Sequence, residues 1–418
     1  MAIARVLAVA VCLAYKSNPV LVCQQENKQI SAMTNSQPVY LDCNATTPIE
    51  PDVQREMLRF FEEEFGNAGS RTHEFGAHAK QAVQKARDQI AALVSAQREE
   101  VIFTSGATES NNLAILGLAA FGEQSNRRHI ISTQIEHKAV LEPLEELERR
   151  GFEVELLAPN AGGWIEAERI QAALRPDTLL VSVMHANNET GVIQPIEEIA
   201  ALLGKHAAYF HVDAAQTFGK LIEPLRTPRI DLISASAHKI YGPKGVGALI
   251  TRRRGFDRPP LRPLCFGGGQ ERGLRPGTLP VPLIVALGVA AELALKHHGK
   301  RERQCRSFRD ELEVALLPLG PQIHGDTQRT LPHVINLSFA GLDSEAVMVA
   351  LKGEVAISNG SACTSASYKP SHVLKAMGLS DSEIMGALRI SWCHMTPKPD
   401  WQQVARLLQS LRSEPAVH

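Results

Sequence analysis

The 418-residue sequence predicts an α/β protein: a mostly parallel sheet covered by helices, followed by a smaller α+β domain built mainly from the C-terminal third. Three observations carry this. From about residue 80 to 251, short apolar runs alternate with helix-like segments, the pattern of parallel strands joined by crossover helices. After Gly273 the texture changes to long helical stretches with isolated strand-like runs. The length of 418 residues also exceeds one simple core, since domains run to roughly 100–200 residues.

Folding begins at Pro38-Val39-Tyr40-Leu41-Asp42. Residues 101–103 read as a strand, 109–120 as a helix, 129–132 as a strand and 140–150 as a charged helix. Residues 179–184, 209–212 and 232–234 are further strands, with a helix at 196–205, and 246–251 is another apolar run. Beyond Gly273, residues 280–300 and 302–316 read as two successive helices. A strand at 333–339, a helix at 344–351, a Ser/Gly-rich loop at 358–367, a strand at 388–391 and a helix at 401–411 complete the chain. The expected organisation is a large domain over 50–295, a small domain from 33–49 and 296–418, and an extension over 1–32.

The apolar fraction of 44% and charged fraction of 21% are those of a soluble globular protein. A net charge of −1 provides no global basic field, so no direct nucleic-acid or membrane binding is expected. The seven cysteines are scattered, odd in number and form no CxxC pair, which argues against a zinc knuckle or a disulfide framework. They fit a reducing, cytoplasmic compartment with one or two functional thiols. Residues 6–15 form an apolar run between Arg5 and Lys16, sized like a signal-peptide core and too short to span a bilayer. No small-x-small cleavage site ends it, so 1–32 is read as an extension upstream of Met33.

The chemistry centres on Ser234-Ala235-Ser236-Ala237-His238-Lys239, which lies between two apolar runs. A lysine at a strand end among small residues is a poor structural choice. With a lowered pKa it can form a Schiff base with a carbonyl. A solvated loop lysine is the plainer reading of Lys239 taken alone. Ser105-Gly106-Ala107-Thr108 lies between a strand and a helix, where backbone N–H groups can meet a phosphate; Thr108 is equally a simple N-cap. Asp213 ends a strand and can pair with a protonated ring nitrogen, with Gln216 one turn on, or it can cap a helix. Asn188, in Asn187-Asn188-Glu189-Thr190-Gly191, can hold a ring oxygen or serve only a turn.

His137 follows a strand end, where an imidazole can stack on a ring and move protons, although a lone histidine often has no such role. Gly267-Gly268-Gly269 leads to Thr278, whose hydroxyl could meet a phosphate, or the stretch is a connector. Cys363, in Asn359-Gly360-Ser361-Ala362-Cys363-Thr364-Ser365, sits in a small-residue loop without an apolar packing signal. That placement points to a thiol nucleophile that must travel. Arg389 lies in an apolar strand, suited to clamping a carboxylate or to an ordinary ion pair.

Together with Leu41-Asp42-Cys43-Asn44-Ala45-Thr46-Thr47-Pro48 and Gly106-Ala107-Thr108-Glu109-Ser110-Asn111-Asn112, these motifs resemble, in order and over residues 38–412, the cysteine desulfurases, a branch of the aspartate-aminotransferase-like pyridoxal phosphate enzymes. The long Cys363 loop is similar to that of the iron–sulfur-assembly group, and residues 363–372 resemble desulfurases of DNA sulfur-modification systems. Residues 1–32 and Cys43 stand outside the resemblance. It implies the aspartate-aminotransferase-like fold, pyridoxal 5′-phosphate as cofactor, L-cysteine as substrate, and a sulfur-acceptor protein in iron–sulfur assembly, tRNA thiolation or DNA phosphorothioate modification. It implies Lys239 as the Schiff-base lysine and Cys363 as the sulfur acceptor. Ala107, Thr108, Ser236 and His238 would hold the phosphate, with Thr278 contributed by the other subunit of a homodimer. Asn188, Asp213, Gln216 and His137 would address the ring, and Arg389 with Asn188 the substrate. A selenocysteine lyase, another aminotransferase-like enzyme, or an inactive binding scaffold of the same fold are the competing readings.

Overall fold

The computed structural model describes residues 37–359 and 370–413. The chain divides into two compact units, Met1–Pro38 and Val39–His418, and every described helix and strand belongs to the second. The extension expected over 1–32 and most of the loop expected over 358–367 lie outside the described residues.

The second unit opens with β1 (Val39–Tyr40), α1 (Pro51–Glu62) and α2 (Glu74–Leu93). It continues through β2 (Val101–Thr104), α3 (Ala107–Leu116), α4 (Ala119–Gln124), β3 (His129–Thr133), α5 (Lys138–Arg149), β4 (Glu153–Leu157), α6 (Ala167–Ala173), β5 (Thr178–Met184), α7 (Ile196–Leu203), β6 (Tyr209–Asp213), β7 (Leu232–Ser236) and β8 (Gly247–Thr251). Strands β2 to β8 form one seven-stranded sheet in the order β2-β8-β7-β6-β5-β3-β4. The strands β7, β6, β5, β3 and β4 run parallel, while β8 is antiparallel to both β7 and β2. The mostly parallel sheet is therefore present. Its inner strands are buried along their whole length, as helices on both faces require. The register places Met184 opposite Asp213 and Asp213 opposite Ser234, so the C-terminal ends of β5, β6 and β7 open on one edge. In open α/β sheets ligands bind outside such strand ends.

The second part of this unit holds α8 (Val281–Leu316), β9 (Gln322–Ile323), β10 (Val334–Ser338), α9 (Ser344–Ala350), β11 (Val355–Ala356), α10 (His372–Ala376), α11 (Asp381–Met385), β12 (Leu388–Ser391) and α12 (Trp401–Ser413). Antiparallel β12, β10 and β9 make a small sheet, and β1 pairs parallel with β11. A second apolar core joins Leu41, Phe308, Leu312, Leu337 and Trp392. In it the Phe308 and Trp392 rings stack with centroids 5.1 Å apart.

Several elements differ from expectation. Residues 281–316 form one helix, α8, rather than two. Gly299 costs about 1 kcal/mol relative to alanine but does not clash, and Pro282 lies in the first turn where it is tolerated. α8 serves two cores: Ile284 to Ala294 pack into the core of the large sheet and Cys305 to Leu316 into the second. Its apolar N-terminal part is long enough to cross a membrane, yet half of that window is buried in the protein, against α1 and α2. The helix expected at 109–120 divides into α3 and α4. The Gly117 carbonyl accepts a hydrogen bond from Arg262 N at 2.9 Å where the break occurs.

Candidate active site

Lys239 ends a short turn, Ala237–Lys239, that follows the buried strand β7. This turn is laced to the segment after β1. Thr47 N and Thr47 Oγ1 donate to His238 O at 2.9 and 3.0 Å, and Tyr241 N donates to Thr47 Oγ1 at 3.0 Å. The Lys239 amine therefore meets the carbonyls of Asn44 and Ala45, donating to the second at 2.9 Å. Burial lowers its pKa to about 7, helped by the charges of Arg389 and Lys220 and opposed by Asp42 and Asp213. This is the lowered lysine that the sequence argument requires; Lys239 is not a solvated loop side chain.

Lys239 opens on a cavity of about 570 Å³. Ala107, Thr108, His137, Asn188, Asp213, Gln216, Ser236, His238 and Arg389 all line it, so ten of the expected residues, counting Lys239, converge. Thr278 does not line it and is exposed on this chain. Cys363 lies outside the described residues.

At one end the helix α3 begins. Its N-cap is Gly106, without a side-chain cap, so Thr108 sits within the first turn and is not the N-cap. The uncapped N–H groups of that turn favour an anion. Ser236 and His238 stand beside them, together with Lys244. Burial, then the Lys239 and Lys244 charges, push the His238 pKa down to about 4, so its ring is neutral.

Asp213 lies at the other end, with 4% exposure. Its Oδ2 accepts from Asn111 Nδ2 at 2.8 Å, and its Oδ1 accepts from Ala215 N at 2.9 Å. His137 caps α5 through Nδ1, which accepts from Ala139 N at 3.1 Å. That bond places the ring proton on Nε2, and burial lowers the pKa of the ring. Gln216 Nε2 donates to Asn44 O at 3.1 Å, while its buried Oε1 has no partner among the described residues. Asn188 contributes its carbonyl, which accepts from Asn44 Nδ2 and from Arg389 Nη1, each at 3.1 Å.

Arg389, on β12, also holds Asp42 Oδ1 at 2.7 Å through Nη2. Its buried Nε has no partner among the described residues. The ion-pair reading of this arginine is present, and one donor is left without a partner among the described residues.

Asn44, Ala45, Asn111 and Lys244 join the site without a signal of their own in the sequence. Asn44 and Ala45 act at Lys239 through backbone carbonyls, which residue identity does not announce. Asn111 lies inside a motif of the resemblance, one turn along α3 from Ala107. A buried acid, the anion-accepting first turn of α3 and the unpartnered amide oxygens of Asn44, Asn111 and Gln216, all on residues that line one cavity, fit a phosphorylated heteroaromatic ring.

Residues 39–404 match the family described as Aminotransferase class-V. Cysteine desulfurase IscS of Methylococcus capsulatus is 47% identical over 364 residues, covering 87% of this chain and 89% of its own. The crystal structure of DndA from Streptomyces lividans superposes with a TM-score of 0.75 at 52% identity, covering 84% of this chain and 98% of its own. A structure of SspA in complex with cysteine gives a TM-score of 0.75 at 39% identity, covering 86% of this chain and all (100%) of its own. Matched along most of its length at such identities, the chain belongs to the aminotransferase class-V family, within its cysteine desulfurase branch.

Proposed function

We propose that the protein is a pyridoxal phosphate-dependent cysteine desulfurase that converts L-cysteine to L-alanine and stores the sulfur as a persulfide on Cys363. One observation carries the reading most: a buried lysine with a pKa of about 7 shares a cavity with Asp213 and Arg389. The first turn of α3, Ser236 and His238 would hold the cofactor's phosphate. Asn188, Asp213, Gln216 and His137 would hold its ring, and Lys239 its aldehyde. When bound, this cofactor supplies an electron-accepting ring that makes the substrate α-proton removable.

The chain's own groups do the rest. Arg389 and Asn188 orient the substrate carboxylate, and the Lys239 amine moves the α-proton. Cys363 Sγ attacks the substrate sulfur. The new S–S bond forms as the substrate Cβ–S bond breaks. The electron pair stays on Cβ, which takes a proton and leaves as alanine. Cys363 thiol plus cysteine thus becomes Cys363 persulfide plus alanine, with atoms and electrons balanced. Covalent storage divides one difficult transfer into two easier ones.

The large domain over 50–295, the small domain from 33–49 and 296–418, a cytoplasmic homodimer with Thr278 reaching the other subunit's phosphate, and a protein as sulfur acceptor belong to the same reading. For the pathway we favour DNA sulfur modification. The resemblance of residues 363–372 supports it, beside 52% identity to DndA against 47% to the Methylococcus IscS. Deleting the gene should abolish DNA phosphorothioate linkages and leave iron–sulfur enzymes active; intact linkages would exclude that pathway. The activity itself is tested by alanine release from L-cysteine, with mass spectrometry of the Cys363 peptide for one added sulfur. Faster alanine release from selenocysteine would make the protein a lyase for that substrate instead.

A further inference from the structure

A second cavity, of about 80 Å³, lies between α8 and the segments 219–221 and 330–333. It holds roughly five to eight waters' worth of space, at about 10–15 Å³ of probe volume per water. Its lining is cationic: Lys220, Arg301 and Arg306 face one carboxylate, Glu302, and His298 and His333 are also present. Glu302 is already taken, because Arg306 binds it at 2.7 Å. Glu50, outside the lining, takes Arg301 Nη2 and lies 3.4 Å from His394.

Two donor atoms, Lys220 Nζ and Arg301 Nη1, have no carboxylate of their own among the described residues, although the Arg301 charge is paired with Glu50 through Nη2. Lys220 has no carboxylate partner among the described residues; its Nζ meets only His333 Nε2, at 3.2 Å. Arg301 has a side chain 7% exposed, and its buried Nη1 has no hydrogen-bond partner among the described residues. Arg301 is fixed in place, with its guanidinium 5.0 Å from the centre of the Tyr241 ring and Glu50 on its other nitrogen. Lys220 is aimed by Gly219, at φ +75°, where an added Cβ would come within 2.9 Å of Ala294 Cβ. Burial also lowers the pKa values of both Lys220 and His333, for Lys220 against the opposing influence of the nearby thiols of Cys43, Cys305 and Cys393.

An unpaired donor in a low-dielectric site is costly, and an unpaired charge more so. A cavity beside two such donors, lined by Ile193, Leu221 and Leu331 as well as by the charged residues, is a place where a ligand contributes what the protein lacks. We propose that this cavity is a binding site for one small tetrahedral oxyanion, sulfate or phosphate, held by Lys220 and Arg301 Nη1. The site is separate from the Lys239 cavity, shares no lining residue with it and is not needed for the reading of that cavity. It joins α8 to the segments that precede β10 and follow β6, so its occupant would tie the two cores together.

The test uses the holoenzyme, in which pyridoxal phosphate fills the other phosphate-binding site. Equilibrium dialysis with radiolabelled sulfate, in chloride buffer of constant ionic strength, should show saturable binding of about one sulfate per chain. Phosphate should displace the label. Displacement by chloride as readily as by phosphate would overturn a tetrahedral ligand. Lys220→Met keeps the volume and removes the donor, and should weaken binding by about tenfold or more. Unchanged binding in that variant, or no saturable binding to the parent, would refute the site. Should the variant fail to fold, selenate in crystals of the parent decides: an anomalous peak beside Lys220 Nζ supports the site, and water alone in the cavity overturns it.

Discussion

Lys239 Nζ donates to the carbonyl oxygen of Ala45 at 2.9 Å, although the two residues lie 194 positions apart. The segment after β1 therefore packs against the reactive amine and screens it from water on that side. That desolvation disfavours the charged form and sets the lysine pKa at about 7.

The sign of the resulting pH dependence follows. Only the neutral amine captures an aldehyde, and a depressed pKa makes the neutral form available at lower pH. About a tenth of Lys239 is neutral at pH 6 and about nine-tenths at pH 8. Capture of pyridoxal phosphate by the apoprotein, followed by the growth of yellow colour in a stopped-flow instrument, should rise about tenfold between these values and then level off. A rate still climbing towards pH 10 would mean an ordinary, solvated lysine.

Asn111 supplies the amide that holds Asp213 Oδ2 at 2.8 Å. Replacing it by alanine leaves a buried carboxylate oxygen without that donor, a loss of about 1.5–3 kcal/mol for a hydrogen bond to a charged group. Asn111→Ala should weaken pyridoxal phosphate binding by about tenfold or more, measured by titration of the apoprotein. Asn111→Asp places a like charge beside Asp213 and should do worse than alanine.

The legibility of the chain divides along physical lines. The inner strands β5, β6 and β7 are buried almost throughout, so their sequences are rich in apolar and small residues that declare themselves. The edge strand β4 is not: Glu153 and Glu155 are exposed and interrupt its apolar residues, so no continuous apolar run marks it. The amphipathic α1 and the first turns of α2 lie ahead of the alternating region and escape that pattern, although α2 carries eight buried residues. In the site, Lys239, Asp213 and Arg389 are legible because an ionisable side chain at a buried strand end needs a reason. The carbonyls of Asn44 and Ala45, and the lacing of Thr47 to His238, belong to the backbone and to a contact across nearly two hundred residues. Nothing local in the sequence encodes them.

Arg389 has its Nη2 on Asp42, its Nη1 on the Asn188 carbonyl, and its buried Nε without a partner among the described residues. A lysine here keeps the charge but has one nitrogen for three tasks. Arg389→Lys should raise KM for L-cysteine by about 10- to 100-fold, with a smaller effect on kcat, since carboxylate binding is shared by ground and transition states. An equal fall in kcat and kcat/KM would instead assign Arg389 to the chemical step.

The division of labour between Lys239 and Cys363 makes the sharpest pair of variants. Lys239→Ala removes the amine that captures the cofactor, so the purified protein should be colourless and inactive. It also removes the Lys239 donor from the Ala45 carbonyl and leaves the Asn44 carbonyl with Gln216 Nε2 alone. A stability loss of about 1–3 kcal/mol is expected, visible as a lower unfolding midpoint in urea. Cys363→Ser leaves every described contact of the cavity in place, so that protein should bind pyridoxal phosphate, turn yellow and unfold at the parent midpoint. It should nevertheless release no alanine from L-cysteine, because a hydroxyl is a poor nucleophile towards sulfur at neutral pH. A yellow Cys363→Ser protein that releases alanine at the parent rate would remove Cys363 from the reaction while leaving Lys239 in it.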